Sequence, residues 1–317
     1  MSAQDFRALV EMAMKVPGLA AMRPVVEKEI LHYDIFHALD RGGLLNDLVF
    51  QGGTSLRLCR GSDRFSEDLD FAGGRNFSTA GMHEIKQCVE DHIGRRYGLN
   101  VTVKEPRHDD VSTIEHIKLH RWEVSVETSP ENRAMPRQRI KLEIANIPAY
   151  TKELVPLQIN YDFLAGMSNV LVYTESMSEI MADKVLAFPT SVTDANGGMN
   201  ALSSKRLRHR DIWDLAWLAK RKATLDPALV LKKVIDYQVQ GYSDLLGNAI
   251  KALPTIVNSN EFKDQMRRFV DLETITRTVE QSAYLEYLAV EVGGILETMQ
   301  SALVATQSTP TRPSETQ

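Results

Sequence analysis

The chain has 317 residues, 43% hydrophobic and 25% charged, with a formal net charge of −5. That make-up fits an ordinary globular protein of one large or two modest domains and excludes one coated in positive charge, so any nucleic-acid contact must come from local patches. Two cysteines, Cys59 and Cys88, sit without metal-ligand spacing and are too few for a disulfide framework, which reads as structural thiols in a reducing cytosol. Residues 1–15 lack a signal-peptide pattern and no apolar run approaches membrane-spanning length, so the expected place is the cytoplasm, with no membrane partner.

Residues 5–40 read as two helices separated near Pro17-Gly18, the second running from Val25 to Leu39. Glu27 and Lys28 fall on its solvated face, within reach of a ligand behind which the helix packs. Leu48 to Phe50 form a buried strand, Gly52-Gly53 a turn needing unusual backbone angles, and Thr54 to Cys59 the opening of a helix. Such a turn exposes backbone N–H groups that, with the Thr54 and Ser55 hydroxyls, can hold a phosphate at a helix N-terminus. Asp68 to Phe71 form the next strand, and the period of two points Asp68 and Asp70 the same way. Paired carboxylates on one face attract a hard divalent cation, Mg2+ or Mn2+, which keeps phosphates and waters as its other ligands. Ser66 joins that face if the strand begins early, and can bind the metal or a phosphate oxygen.

Thr79 to Tyr97 reads as a helix stopped by Gly98, and Asn100 to Glu105 as a strand. Asp109 to His116 is a polar loop. Lys118 to Val126 and Arg137 to Ile147 are strands around the turn Ser129 to Asn132, and Val170 to Tyr173 is a shorter one. In Arg139 to Ile144 the apolar residues Ile140, Leu142 and Ile144 face the core, leaving Lys141 and Glu143 on the other side. If this strand neighbours the one bearing Asp68 and Asp70, Glu143 becomes a third carboxylate, a metal ligand or general base.

From Ser176 onward the spacing is helical: Met177 to Phe188, Ala201 to Arg221, Pro227 to Gln240, and a run from about Thr274 to Thr306, with breaks at Gly197-Gly198, Pro254 and Asn258 to Asn260. Lys184 borders an apolar face and, read alone, snorkels, while its neighbour Asp183 is helix surface. Asp211 and Asp214 lie on neighbouring rows of a helix whose Ile212, Leu215 and Leu218 turn inward. Two basic groups, Arg133, Arg137, Arg139 and Lys141, and Lys205, Arg206, Arg208, His209 and Arg210, are compatible with a phosphate-backbone groove or with a solvated face. Thr306 to Gln317, polar and Pro/Ser/Thr-rich, is expected to be disordered.

Gly52-Gly53-Thr54 followed by Arg64-x-Ser66-x-Asp68-Leu69-Asp70-Phe71 resembles the first motif of the AbiEii/AbiGii (MenT-like) nucleotidyltransferase toxins, a branch of the DNA polymerase beta nucleotidyltransferase superfamily. The resemblance continues through Lys141 to Glu143, Ala182 to Lys184 and Arg210 to Leu215. It implies an α/β fold, a mixed-sheet nucleotidyltransferase core over 1–175 followed by an all-helical C-terminal domain over 176–305 and the tail 306–317. It also implies catalysis of nucleotide transfer from an NTP to an acceptor hydroxyl, with pyrophosphate leaving and a tRNA 3′ end as acceptor in relatives. Asp68, Asp70 and Glu143 are then metal ligands. Gly52, Gly53, Thr54, Ser55 and Ser66 cradle the nucleotide, Lys184 contacts the triphosphate, Asp211 orients Lys184 or the nucleotide, and Arg210 or Arg208 meets a phosphate. A cognate antitoxin, and a role in a toxin–antitoxin or phage-defence system, come with the family. In some relatives the serine matching Ser66 is modified, which would silence the site. Many relatives carry lysine where this chain has Gln51, so positive charge at the turn is reduced. The competing readings are transfer to a small molecule or protein, and a nucleotide-binding module that no longer turns over.

Overall fold

The structure is a computed structural model that describes residues 3–106, 117–132, 135–165, 169–192 and 207–308. The loop 109–116, Arg133, Gly197-Gly198, residues 201–206 with Lys205 and Arg206, and the tail beyond Ser308 lie outside the described residues. In chain order the elements are α1 (Ala3–Met14), α2 (Arg23–Arg41), β1 (Val49–Gln51), α3 (Gly52–Arg60), β2 (Leu69–Ala72), α4 (Ile85–Tyr97), β3 (Val101–Lys104), β4 (Leu119–Val126), β5 (Gln138–Ala145), β6 (Glu153–Pro156) and β7 (Leu171–Thr174). The helices α5 (Met177–Val192), α6 (His209–Lys220), α7 (Pro227–Asp236), α8 (Tyr242–Asn258), α9 (Asn260–Phe269), α10 (Leu272–Arg277) and α11 (Ser282–Ser308) follow. Contacts divide the chain into two compact units, Met1–Ser176 with Met266–Arg277, and Met177–Gln265 with Thr278–Gln317.

The first unit is built on a seven-stranded mixed sheet of order β3-β4-β5-β2-β1-β7-β6. β2 runs parallel to β5 and β1 parallel to β7, and the remaining pairs are antiparallel. Alternation sorts the central strands: Leu69, Phe71, Trp122, Val124, Ile140, Leu142 and Ile144 are buried, while Asp70, Arg121, Lys141 and Glu143 between them keep contact with solvent. The buried face meets α2, where Phe36 packs edge-on to Phe50 with ring centroids 4.9 Å apart. Residues 266–277, read from sequence as part of the helical segment, belong to this unit: the Phe65 N–H donates to the Phe269 carbonyl at 2.7 Å.

Helix α2 is more than backing. Glu27, read as solvated, is buried and accepts hydrogen bonds from Thr128 at 3.0 Å and Gln138 at 2.8 Å. Lys28 pairs with Glu67 at 2.7 Å, and His32 Nε2 lies 3.0 Å from the Glu67 carbonyl. Burial pushes the His32 imidazole down from 6.5 to about 4, so it is neutral and its Nε2–H donates to that carbonyl. These bonds fix the segment leading into β2.

Other boundaries shift for local reasons. The helix read from Thr79 begins at Ile85, after a short 3-10 turn at Thr79–Gly81. Strand β6 has no sequence signal: four residues ending in proline, mostly exposed, become a strand only by pairing with β7. Pro254, read as a break, lies inside α8, where the buried Leu253, Ile256 and Val257 hold the helix against its lost hydrogen bond.

The second unit is helical throughout its described residues. Helix α11 is, over Ser282–Ala305, long and apolar enough to cross a membrane by length and composition, contrary to the sequence reading. Its apolar seam of Leu285, Leu288, Val292, Leu296 and Met299 is buried against α8 and α6, while Tyr287, Val290 and Val304 are exposed. Asp183, read as helix surface, joins Glu179 in holding the buried Lys233, whose Nζ lies 2.6 Å from Asp183 and 2.9 Å from Glu179. The helix read to Thr306 continues to Ser308, into the stretch read as tail.

Replacing Lys233 by methionine strips that cation from Glu179, itself fully buried, and should lower the unfolding free energy by on the order of 3 to 5 kcal/mol in urea titrations, with Lys233→Met/Glu179→Gln recovering much of the loss. The neutral His32 adds an acid sensitivity in a higher pH window than a carboxylate salt bridge does. Its depressed folded value costs nothing above 6.5, and stability should fall as pH drops from 6.5 toward 4, because the unfolded chain takes up a proton that the folded one refuses. That part of the acid sensitivity of the urea midpoint should be absent in His32→Gln.

Candidate active site

Two registers assemble the centre of the first unit. Gln51 lies opposite Asp70 across β1 and β2, and Asp70 lies opposite Glu143 across β2 and β5. Residues paired in register share a face of the sheet, so Asp70 and Glu143 are neighbours on its open side. Glu143 in turn faces Arg121 across β4, and the Arg121 Nε is 2.5 Å from the Glu143 carboxylate.

Asp68 stands one residue before β2 rather than within it. Its carboxylate still reaches β5, accepting from the Lys141 N–H at 3.2 Å and lying 3.7 Å from the Lys141 ammonium. Its carbonyl accepts from the Thr54 hydroxyl, which ties the entry of β2 to α3.

The glycine turn has a sharper form than the sequence reading gave it. Helix α3 begins at Gly52 itself, whose φ of 78° belongs to the left-handed region. A Cβ there would stand 3.0 Å from Asp70 Oδ2, so backbone conformation and the close approach of a carboxylate both demand glycine. At Gly53 a Cβ would meet the Arg64 guanidinium at 2.3 Å and the Ser66 hydroxyl at 3.3 Å. The first-turn N–H groups of α3 have no acceptor inside the helix, and the Gln51 side chain does not cap them.

Thr54 and Ser55 correct the expected cradle. Both are buried, and their hydroxyls donate to backbone carbonyls, Thr54 to Asp68 and Ser55 to Gly52 at 2.8 Å, so they shape the turn instead of presenting hydroxyl hydrogens to a ligand. Ser66 is 8% exposed and lies beside Gly53 without belonging to β2. Arg64 was assigned no role from the sequence, although it heads the alternating series 64, 66, 68, 70. Its buried guanidinium against Gly53 supplies positive charge at the turn, where Gln51 brings none.

Among the described residues no three His, Cys, Asp or Glu side chains gather as a formed metal centre. The reason is visible in the pairs: Asp68 is turned to Lys141 and Glu143 to Arg121. The donor set itself suits a hard divalent cation, three carboxylates from adjoining segments on one open face.

The second unit holds the other sequence-predicted residues. Lys184, 5% exposed, extends from α5 to α6, with its Nζ 2.9 Å from Asp211 and 2.6 Å from Asp214. Asp211 also accepts from Arg208. Burial would raise the Asp211 carboxyl, but the Arg208 and Lys184 charges outweigh it and hold the group well below the usual carboxylate range. The Lys184 to Asp211 contact expected from the sequence is present. Asp214 is fully buried and binds the same ammonium. His209 is buried, so it adds nothing to a basic surface, whereas Arg210 is partly exposed.

A profile of the family described as nucleotidyl transferase AbiEii toxin, type IV TA system, matches residues 34–283. Among solved structures, MenT4, a nucleotidyltransferase toxin from Mycobacterium tuberculosis, is similar in fold with a TM-score of 0.51 and 18% identity, over 96% of this chain and 99% of that one. The Helicobacter pylori protein JHP933 gives a TM-score of 0.46 at 19% identity, over 89% of this chain and 94% of that one. No protein with a curated description matches the sequence. Because the family profile spans most of the chain, the protein belongs to the AbiEii nucleotidyltransferase toxins of type IV toxin–antitoxin systems.

Proposed function

We propose that the open face of the first unit binds an NTP with a divalent cation, Mg2+ or Mn2+, and transfers its nucleotide to an acceptor hydroxyl, that of a tRNA 3′ end. The observation that carries this reading is the register placing Asp70 between Gln51 and Glu143, which sets a carboxylate pair against the N-terminus of α3. A triphosphate there would accept hydrogen bonds from the Gly52 and Gly53 N–H groups, reinforced by the positive end of the helix and the Arg64 charge.

Asp68, Asp70 and Glu143 would hold the cation, which supplies charge neutralisation at the attacking and leaving oxygens. The acceptor oxygen forms its bond to the α-phosphorus as the bond to the bridging oxygen breaks, and pyrophosphate leaves with that electron pair. The acceptor proton passes to a carboxylate, for which Glu143, 17% exposed and held by Arg121, is the candidate base. Lys184 comes to this reaction with its ammonium already shared by two buried carboxylates, so a direct triphosphate contact would compete with both. A positioning role for Lys184, Asp211 and Asp214, joining α5 to α6, has the stronger geometric support.

In this proposal the protein acts in the cytoplasm as the toxin of a pair that restrains growth or phage replication, opposed by its cognate antitoxin. Transfer to a small molecule or protein would use the same carboxylates and differ only in the acceptor.

Incubation with total tRNA, Mg2+ and each labelled NTP tests the acceptor: label on RNA is expected, and label confined to protein or small molecules would overturn it. In the same assay Asp68→Ala and Asp70→Asn should each lower the transfer rate by at least about a hundredfold, on the scale of losing charge stabilisation at a transition state. Gly52→Ala should fail comparably while retaining helical circular dichroism, since the strain and the added carbon fall on the turn and on Asp70. Lys184→Ala separates the two roles. A lowered melting temperature with transfer reduced only in proportion to unfolded protein marks positioning, and a folded protein with a collapsed rate marks phosphate contact.

A further inference from the structure

The same face that carries the carboxylates continues over β5, β4 and β3 as an uncovered strip of polar side chains. Register sets them in rows. One row runs Lys104, Glu123, Lys141 toward Asp68, another runs Arg121, Glu143, Asp70, and beyond them lie Thr102, Ser125 and Arg139. The residues between, Val103, Trp122, Val124, Ile140 and Leu142, are buried on the opposite side. Lys104, Arg121, Arg139 and Lys141 are all exposed, the Arg121 and Lys141 side chains at 44% and 46%. Four cations here face four carboxylates, Asp68, Asp70, Glu123 and Glu143. The face is near neutral, and its two innermost cations are occupied by the residues assigned to the metal.

We propose that Arg121 and Lys141 are exchangeable counter-ions of the catalytic carboxylates, and that their release turns this strip into the track for the sugar–phosphate backbone of the acceptor strand. The inference rests on the reading of the site as a metal-dependent transferase with a nucleic-acid acceptor. A divalent cation held by Asp68, Asp70 and Glu143 would take the negative charge that Lys141 and Arg121 now neutralise. The strip would then present four cations against Glu123 and one residual carboxylate charge, spread over the width of three strands, and a polyanion is the occupant complementary to that field. The metal therefore binds first and the acceptor second. Without metal the carboxylates repel a phosphate backbone and hold its cationic partners back. The arrangement also explains how a chain of net charge −5 handles nucleic acid: its cationic surface is conditional.

The test uses the full chain and a short fluorescently labelled single-stranded RNA followed by anisotropy. Wild-type protein should bind the RNA several-fold more tightly when Mg2+ is present. Lys104→Gln/Arg139→Gln, which leaves the carboxylates untouched, should bind the RNA more weakly with and without Mg2+, with the slope of log affinity against log salt smaller by about 1 for each phosphate contact removed. Arg121→Gln is read by metal binding instead of activity: Glu143, relieved of its competitor, should bind Mn2+ several-fold more tightly by electron paramagnetic resonance. RNA affinity indifferent to Mg2+, or unaltered in the double variant, overturns the track, and Mn2+ affinity unaltered or weakened in Arg121→Gln overturns the exchange. If wild-type protein labels RNA while the double variant binds it normally, the acceptor reading stands and this inference falls. If RNA is never labelled, both fall.

Discussion

The parallel pairing of β2 with β5 is the constraint from which the site follows. It sets Asp70 beside Glu143 on the open face while Leu69 and Phe71 meet Leu142 and Ile144 in the core. A slip of one residue would turn the carboxylates inward and the apolar side chains outward, exchanging several buried side chains for buried charge. The hydrophobic core therefore enforces the register that sets Asp70 beside Glu143. Helix α2 completes the constraint through Lys28 and His32, which hold Glu67 and with it the approach to β2.

Concentrating like charge on one sheet face is costly, and the fold offsets it locally. Lys141 and Arg121 stand against Asp68 and Glu143 at the surface, where such pairs are weak and easily exchanged. The second unit makes a different use of the same chemistry. Lys184 between Asp211 and Asp214, and Lys233 between Glu179 and Asp183, are buried or nearly so. Pairs of that kind fix helix packing because losing either partner strands a charge away from water. Exposure thus separates pairs suited to exchange during a reaction from pairs that hold a structure.

Spacing marked the residues of the candidate site that share one face. Alternation placed Lys141 and Glu143 opposite the core, and two glycines before a helix marked a turn that only glycine can make. The resemblance to the AbiEii toxins pointed to the family that the profile over residues 34–283 establishes. Less legible were groups whose role depends on a distant partner. Thr54 and Ser55 have the side chains of a phosphate cradle, yet their hydroxyls are consumed by the carbonyls of Asp68 and Gly52. Arg64 looked like an ordinary motif residue until its guanidinium was found against Gly53. Glu27 has the sequence context of a solvated helix face and is instead enclosed by Thr128 and Gln138.

The order of the polar and apolar residues was sufficient, by itself, to indicate the α/β character of the first part and the helical character of the second, while short motifs carried the resemblance to the family, because periodicity and motifs are local properties of a chain. Pairing across long separations was decided only in three dimensions: which strand lies beside β2, which cation each carboxylate meets, that Pro254 stays within a helix and that β6 exists at all. Those outcomes turn on the competition between burial and hydration of residues far apart in the chain, and no local pattern encodes the winner.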